Sequence, residues 1–203
     1  PYAFGTRNGI TIFDLTITMR NLAEACAFLR DTVAGGERLL FVGAKRQAQD
    51  LVKEVANECG MYYMCDRWLG GTLTNQKVVH SRVARMRKLQ EMEASSEIDK
   101  LPKKEIASLR RERAKLERTL GGIAEMRKLP GALVVIDVGR EDIAVKEANK
   151  LGIPVVGLTD SNCNPDPIEY VIPGNDDAVK SLEYFIDLIT QAIVAGQKEK
   201  KSA

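Results

Sequence analysis

Histidine is nearly absent from this chain, and its cysteines are badly spaced for a metal. His80 is the only histidine in 203 residues. A histidine-dependent triad or a multi-histidine metal site would have to rest on it alone. Cys26, Cys59, Cys65 and Cys163 contain no CxxC pair and match no zinc knuckle or ribbon. Cys26 and Cys59 fall on apolar stripes of predicted helices, where a free thiol behaves as a small hydrophobe. Reduced cysteines in a cytosolic-type compartment are therefore expected. No GxGxxG follows a strand, and no Gly-Lys-Ser/Thr phosphate loop exists. No apolar run approaches the roughly 20 residues that span a bilayer, so no membrane partner is expected. No charged start with an apolar stretch and cleavage site suggests secretion. The chain begins at Pro1 without a Met, and its true beginning is expected to lie upstream.

What is present is a soluble globular composition, 44% hydrophobic and 29% charged. The formal net charge of +2 conceals an asymmetry. Residues Gln76 to Lys128 hold 15 basic and 8 acidic side chains, a net of +7, and the other 150 residues carry −5. A nearly neutral body with a basic middle is a warrant for an anionic partner.

Along the chain, short apolar runs alternate with helical periodicity. Ile10 to Phe13 reads as a strand, and Thr16 or Thr18 as the cap of a helix with Met19, Leu22, Cys26, Leu29 and Val33 inward. Five further strands are expected at Leu39 to Gly43, Tyr62 to Cys65, Leu133 to Asp137, Val155 to Leu158 and Tyr170 to Ile172. Helices lie between them, one from Glu141 to Leu151 with Ile143, Ala144 and Ala148 inward. A last helix is expected from about Asp176 to Ala195, capped by Asn175 or Asp176, followed by a frayed polar tail. This rhythm predicts a three-layer α/β fold around a parallel sheet.

Two long helices, Val78 to Glu93 and Lys103 to Arg127, interrupt the rhythm. Each has one narrow apolar seam: Val79, Val83, Met86 and Leu89 in the first, and Ile106, Leu109, Leu116, Leu120 and Ile123 in the second. They predict an antiparallel coiled-coil hairpin inserted in the α/β body. Residues 1–77 and 128–197 form the discontinuous body, 78–127 the hairpin and 198–203 the tail.

Basic residues crowd both arms, where they can track a phosphate backbone without reading sequence. The alternative is a solvated coil laced by Glu91, Glu105, Glu112 and Glu117. Arg67-Trp68-Leu69-Gly70-Gly71-Thr72-Leu73-Thr74-Asn75 is either a binding loop or a tight junction with its tryptophan in a core. Asp137 and Asp160 fall near strand ends, and a metal-assisted hydrolase can be imagined from them and from Asp166, Asp176 and Asp177. The run from Asp160 to Pro167 is also a dense turn signature.

Several segments in order give the chain a family likeness. They are Arg7-Asn8-Gly9-Ile10 with Asp14-Leu15, Leu40 to Ala48, Arg67 to Asn75, Leu120-Gly121-Gly122-Ile123, Pro130 to Pro154, and Ile172 to Ala178. The chain resembles the ribosomal protein S2 family of the small subunit, in its bacterial or organellar form. The resemblance implies a flavodoxin-like sheet with the hairpin inserted, and a structural rather than enzymatic role in translation. It implies binding to small-subunit ribosomal RNA and to neighbouring ribosomal proteins, including in bacteria the large mRNA-binding protein. It implies residence in the small subunit, in cytoplasm or an organelle, with no cofactor and no catalytic or metal residues. A helix and a His-Phe-Gly-His segment usual in relatives would precede Pro1, while Ala44 and Gln76 stand where relatives often carry Thr and an aromatic. The expected RNA-binding residues are Arg7, Lys45, Arg46, Arg67, Thr72, Asn75, Lys77, Arg82, Arg85, Lys103, Arg110 and Arg111, with Trp68 packing rather than stacking. The competing class is a nucleotide- or metal-dependent α/β hydrolase, which would need one deep polar pocket at the strand ends.

Overall fold

The computed structural model describes residues 2–202, with the side chains described as far as residue 200. The chain opens with an antiparallel hairpin of β1 (Ala3–Arg7) and β2 (Ile10–Phe13). Arg7 pairs with Ile10 across a two-residue turn in which Asn8 and Gly9 both have positive φ, 53° and 77°. Asn-Gly is the pairing that such a turn favours, so the signal for β1 was present although only β2 was expected. Helix α1 (Leu15–Ala34) follows. Its cap is Asp14, whose carboxylate accepts from the Thr16 N–H at 2.9 Å, in place of the expected Thr16 or Thr18. Thr18 instead turns inward and donates to the Pro173 carbonyl at 2.8 Å.

The main sheet is built from β3 (Leu39–Val42), β4 (Tyr62–Met64), β5 (Ala132–Ile136), β6 (Val155–Thr159) and β7 (Tyr170–Pro173). Every neighbouring pair is parallel, in the order β4-β3-β5-β6-β7. Counted from β3 this is the 2-1-3-4-5 order of flavodoxin-like folds. The five strands expected from apolar runs thus form one sheet. Alternation along them sorts the core into two halves. Leu39, Phe41, Val134, Ile136, Val156 and Leu158 face α1, α2 (Gln49–Glu58) and α6 (Val179–Ser202). Leu40, Val42, Leu133, Val135 and Val155 face the opposite layer, which includes α5 (Asp142–Lys150). Both faces of the central strands are covered, which explains their continuous apolar runs.

Helices α3 (Gln76–Ala94) and α4 (Lys103–Leu120) run antiparallel, joined through a 3-10 turn at Glu97–Lys100 whose Ile98 is buried. The antiparallel register shows in the pairing of Arg85 with Glu112 and of Glu93 with Arg110. The root of this hairpin is not free of the body. Val79, Val83, Met86, Leu120, Ile123 and Met126 pack into the second half of the core. Farther out Ile106 and Leu109 are only half-buried, as a single seam between two helices must be. Helix α4 also stops at Leu120 and not at Arg127. A 3-10 turn, Gly121–Ile123, lays the chain against edge strand β4. A Cβ on Gly122 would stand 2.2 Å from the Tyr63 carbonyl oxygen, so only glycine allows this approach.

Two other helix ends differ from expectation. Asp176 does not cap α6. Asn175 accepts from the Asp177 and Ala178 N–H groups in the turn before the helix. And α6 continues past Gly196 to Ser202, because the missing side chain lets it lie on the Arg30 backbone of α1. The frayed tail is therefore helical through residue 202. Among the described residues no helix is long and apolar enough to cross a membrane.

Candidate nucleic-acid interface

The Arg67–Asn75 loop is wound around one carboxylate. Glu147 lies on the inner face of α5 and is 8% exposed, whereas the apolar Ile143, expected inward, is 50% exposed. One Glu147 oxygen accepts from Trp68 Nε1 at 3.1 Å and from the Gly71 N–H at 2.7 Å. The other accepts from the Leu73 and Thr74 N–H groups at 3.0 and 3.1 Å and from Thr74 Oγ1 at 3.0 Å. Gly71, at φ 88°, is the turn that lets its N–H join this ring. Burial pushes the Glu147 carboxyl up, but the hydrogen bonds from Trp68, Gly71, Thr74 and Leu73 outweigh it and hold it below the ordinary carboxylate value. Trp68 packs in the core with Leu73. The loop is thus a structural junction that also has an outer surface. Arg67, Asn75 and Lys77 stand exposed on it. Thr72 does not. It is fully buried and its hydroxyl donates to the Leu69 carbonyl, instead of taking the exposed position expected of it.

Lys45 is also turned inward. It lies where the chain leaves β3, beside β5, at the topological switch point where such sheets bind ligands. Its ammonium donates to Asp176 at 2.6 Å and meets Asp177 at 2.5 Å and Asp137 at 3.9 Å, with only 12% of the side chain exposed. Burial disfavours its charge, yet the hydrogen bonds to Asp176 and Asp177 outweigh that and raise its pKa. Asp176 is pushed up by burial, partly offset by Lys45, with Asp137 and Asp160 adding like charge. The charge of Lys45 is therefore matched inside the protein, unlike the free cation expected there. Arg46 next to it is exposed. The carboxylates of Asp160, Asp176 and Asp177 lie within 4.8 Å of one another, the spacing of a metal site. Lys45 already supplies positive charge to two of them. The neighbouring Ala44 N–H donates to Glu141 at 3.1 Å. The crevice that would receive a nucleotide phosphate is thus lined by carboxylates, the wrong sign for that ligand.

On the hairpin the structure divides the arginines. Arg85 forms two bonds of 2.9 Å with Glu112, and these hold the Glu112 carboxyl below its ordinary value. Arg110 donates to Glu93 at 3.0 Å and lies 3.7 Å from Asp99. Both are correctly placed on the hairpin surface, but their charge is matched within the protein. Arg82, Lys103 and Arg111 are exposed and have no ion pair among the described residues. Arg7 is likewise exposed, on the β1–β2 turn. Arg118 ties the root of α4 to Asp66 at 3.1 Å, beside Arg67. The loop and the hairpin are therefore adjacent parts of one surface.

Three further exposed cations lie outside the expected set. Arg140, exposed after β5, lines a cavity of about 340 Å³ together with Arg67, the carboxylates Asp66 and Glu141, Ala44, Trp68 and Ile143. Two guanidinium groups from distant parts of the chain thus border one concavity. Its sequence context, Gly139-Arg140-Glu141-Asp142, reads as an acidic helix start, and only the switch-point position could have drawn notice. Arg127 and Lys128 are exposed in the return from the hairpin, beside Tyr62 and Arg38. They are within the basic middle, at and just past the expected end of the second arm, beyond its apolar seam.

The sheet order, the hairpin inserted before β5 and the Arg67–Asn75 junction together describe one architecture. The family model for ribosomal protein S2 matches residues 1–196, nearly the whole chain. This chain belongs to the ribosomal protein S2 family, whose members are structural proteins of the small ribosomal subunit.

Proposed function

We propose that this chain binds small-subunit ribosomal RNA as a structural component of the subunit during translation. The observation that supports the reading is the sorting of the cations. Among the described residues Arg67, Lys77, Arg82, Lys103 and Arg111 are exposed and form no ion pair, while Lys45, Arg85, Arg110 and Arg113 are matched internally and Arg140 feels the charge of Glu141. Unmatched cations spread over rigid helices and a fixed loop suit a folded phosphate backbone better than a small ligand. The arms between Gln76 and Lys128 carry no Phe, Tyr or Trp, so contacts there are electrostatic and not stacking. The hydrolase alternative loses support at the switch point, where carboxylates occupy the phosphate position.

Neighbouring small-subunit proteins, the large mRNA-binding protein among them in a bacterial setting, are the second partner class in this reading. Phe4, Ile10 and Leu15 are strongly exposed at the N-terminal hairpin and suit burial under another protein. Whether the ribosome is cytoplasmic or organellar is read from the particle itself. The test is to titrate the full chain against a small-subunit ribosomal RNA transcript at several salt concentrations. Affinity should fall steeply and log-linearly with salt, and the native protein should co-sediment with the small subunit. Salt-independent binding, or sedimentation apart from that particle, refutes the reading.

A further inference from the structure

We infer that Glu147 is a positioning residue for RNA binding. It takes the place that a phosphate would otherwise fill inside the Arg67–Asn75 loop, and so turns that loop's side chains outward. This rests on the RNA-binding reading and adds to it which groups of the loop meet RNA. Glycine-containing loops whose N–H groups converge on one point are anion sites. Here the N–H groups of Gly71, Leu73 and Thr74 converge, joined by the Trp68 indole and the Thr74 hydroxyl. All five donors are satisfied by one buried carboxylate from α5, a helix 73 to 79 residues away in sequence. The backbone of the loop consequently has no donor left at this point for an RNA phosphate. What it presents are Arg67 on its first turn and Asn75 and Lys77 at the start of α3, all exposed.

The same carboxylate sets where they stand. Trp68 adjoins Arg67, and Thr74 adjoins Asn75, the cap residue of α3. Fixing Trp68 and Thr74 to a common anchor fixes the separation of Arg67 from Lys77. It also fixes Arg67 at the cavity it shares with Arg140. Without the anchor, five donors near the core must find other partners, and Arg67 and Lys77 lose their fixed separation.

The experiment compares the full chain with Glu147→Gln, Glu147→Ala, Arg67→Ala/Lys77→Ala and the triple Arg67→Ala/Lys77→Ala/Glu147→Gln. Each is titrated against a small-subunit ribosomal RNA transcript, with circular dichroism and amide exchange at Gly71, Leu73 and Thr74. Glutamine is the decisive substitution. Its amide keeps one acceptor but turns an N–H₂ toward donors, so it does not restore the ring. Folded Glu147→Gln should show fast exchange at the three amides and an RNA affinity lower by about tenfold, about 1.4 kcal/mol. The triple should be no weaker than the Arg67→Ala/Lys77→Ala variant. If Arg67→Ala/Lys77→Ala binds like the parent, the loop is not an RNA surface and the RNA reading of it fails. If that variant is weakened while folded Glu147→Gln binds like the parent, the positioning role is overturned and the RNA reading stands. Should the Glu147 variants not fold, Trp68→Phe removes one donor and keeps the packed ring. Faster Gly71 exchange with a several-fold affinity loss supports the inference, and faster exchange with unchanged affinity overturns it.

Discussion

Arg110 and Arg111 are neighbours in sequence with opposite circumstances, and replacing each by alanine separates structural from RNA-binding charge. Arg110 is 51% exposed as a side chain, donates to Glu93 and lies near Asp99. An ion pair this exposed contributes about 0.2–1 kcal/mol. Arg110→Ala should therefore lower stability by that small amount and leave RNA binding nearly unchanged, because its charge is already matched. Arg111 has no ion pair among the described residues and lies off the half-buried seam of Ile106, Leu109 and Leu116. Arg111→Ala should leave stability within about 0.5 kcal/mol. If Arg111 meets one phosphate, its loss should flatten the log-log salt slope by about 0.7–0.9. Between 50 and 200 mM salt that difference amounts to about a threefold change in relative affinity. The assay is filter binding of each variant and the parent to a small-subunit RNA transcript at five salt concentrations, with urea melts in parallel. An Arg110→Ala slope as flat as that of Arg111→Ala would refute the division into matched and unmatched cations. An unchanged slope in folded Arg111→Ala would remove Arg111 from the RNA surface.

Lys45→Met should destabilise the protein by about 3 kcal/mol, the low end for breaking a buried pair. The companion change Asp176→Asn should recover part of that in a urea-melt cycle. Because the folded pKa of Lys45 is raised, its stabilisation is full below the unfolded value and lost as alkaline pH passes the folded one. The parent should thus lose more stability than Lys45→Met in alkali, and parallel curves would contradict the linkage. Gly122→Ala forces a Cβ to within 2.2 Å of the Tyr63 oxygen and should cost about 1–3 kcal/mol by overpacking. An unchanged melting temperature would show that the turn can shift. Burial pushes the Cys65 thiol up to about 12, with Lys53 lowering it and Glu141 and Asp50 raising it. Iodoacetamide at pH 8 should therefore leave Cys65 unmodified in the folded protein and label it in urea.

Much of the architecture was legible because it is encoded locally. Buried parallel strands need continuous apolar runs, so Leu39–Val42 and Ala132–Ile136 announce themselves without reference to partners. The narrow seams of α3 and α4 likewise announce a hairpin, and the excess of lysine and arginine between Gln76 and Lys128 is visible as a count. The sequence by itself thus determined the fold class and the insertion, and its basic middle raised the expectation of an anionic partner. Tertiary structure decided which charges are available. Lys45 meets Asp176 across 131 residues, and Arg85 meets Glu112 across 27. Periodicity carries no information about pairings at such separations. The end of α4 at Leu120 was decided by the Tyr63 backbone against Gly122, and the inward turn of Glu147 by donors 73 to 79 residues distant. A polar side chain enters a core only where partners converge on it, and that convergence exists only once the chain has folded.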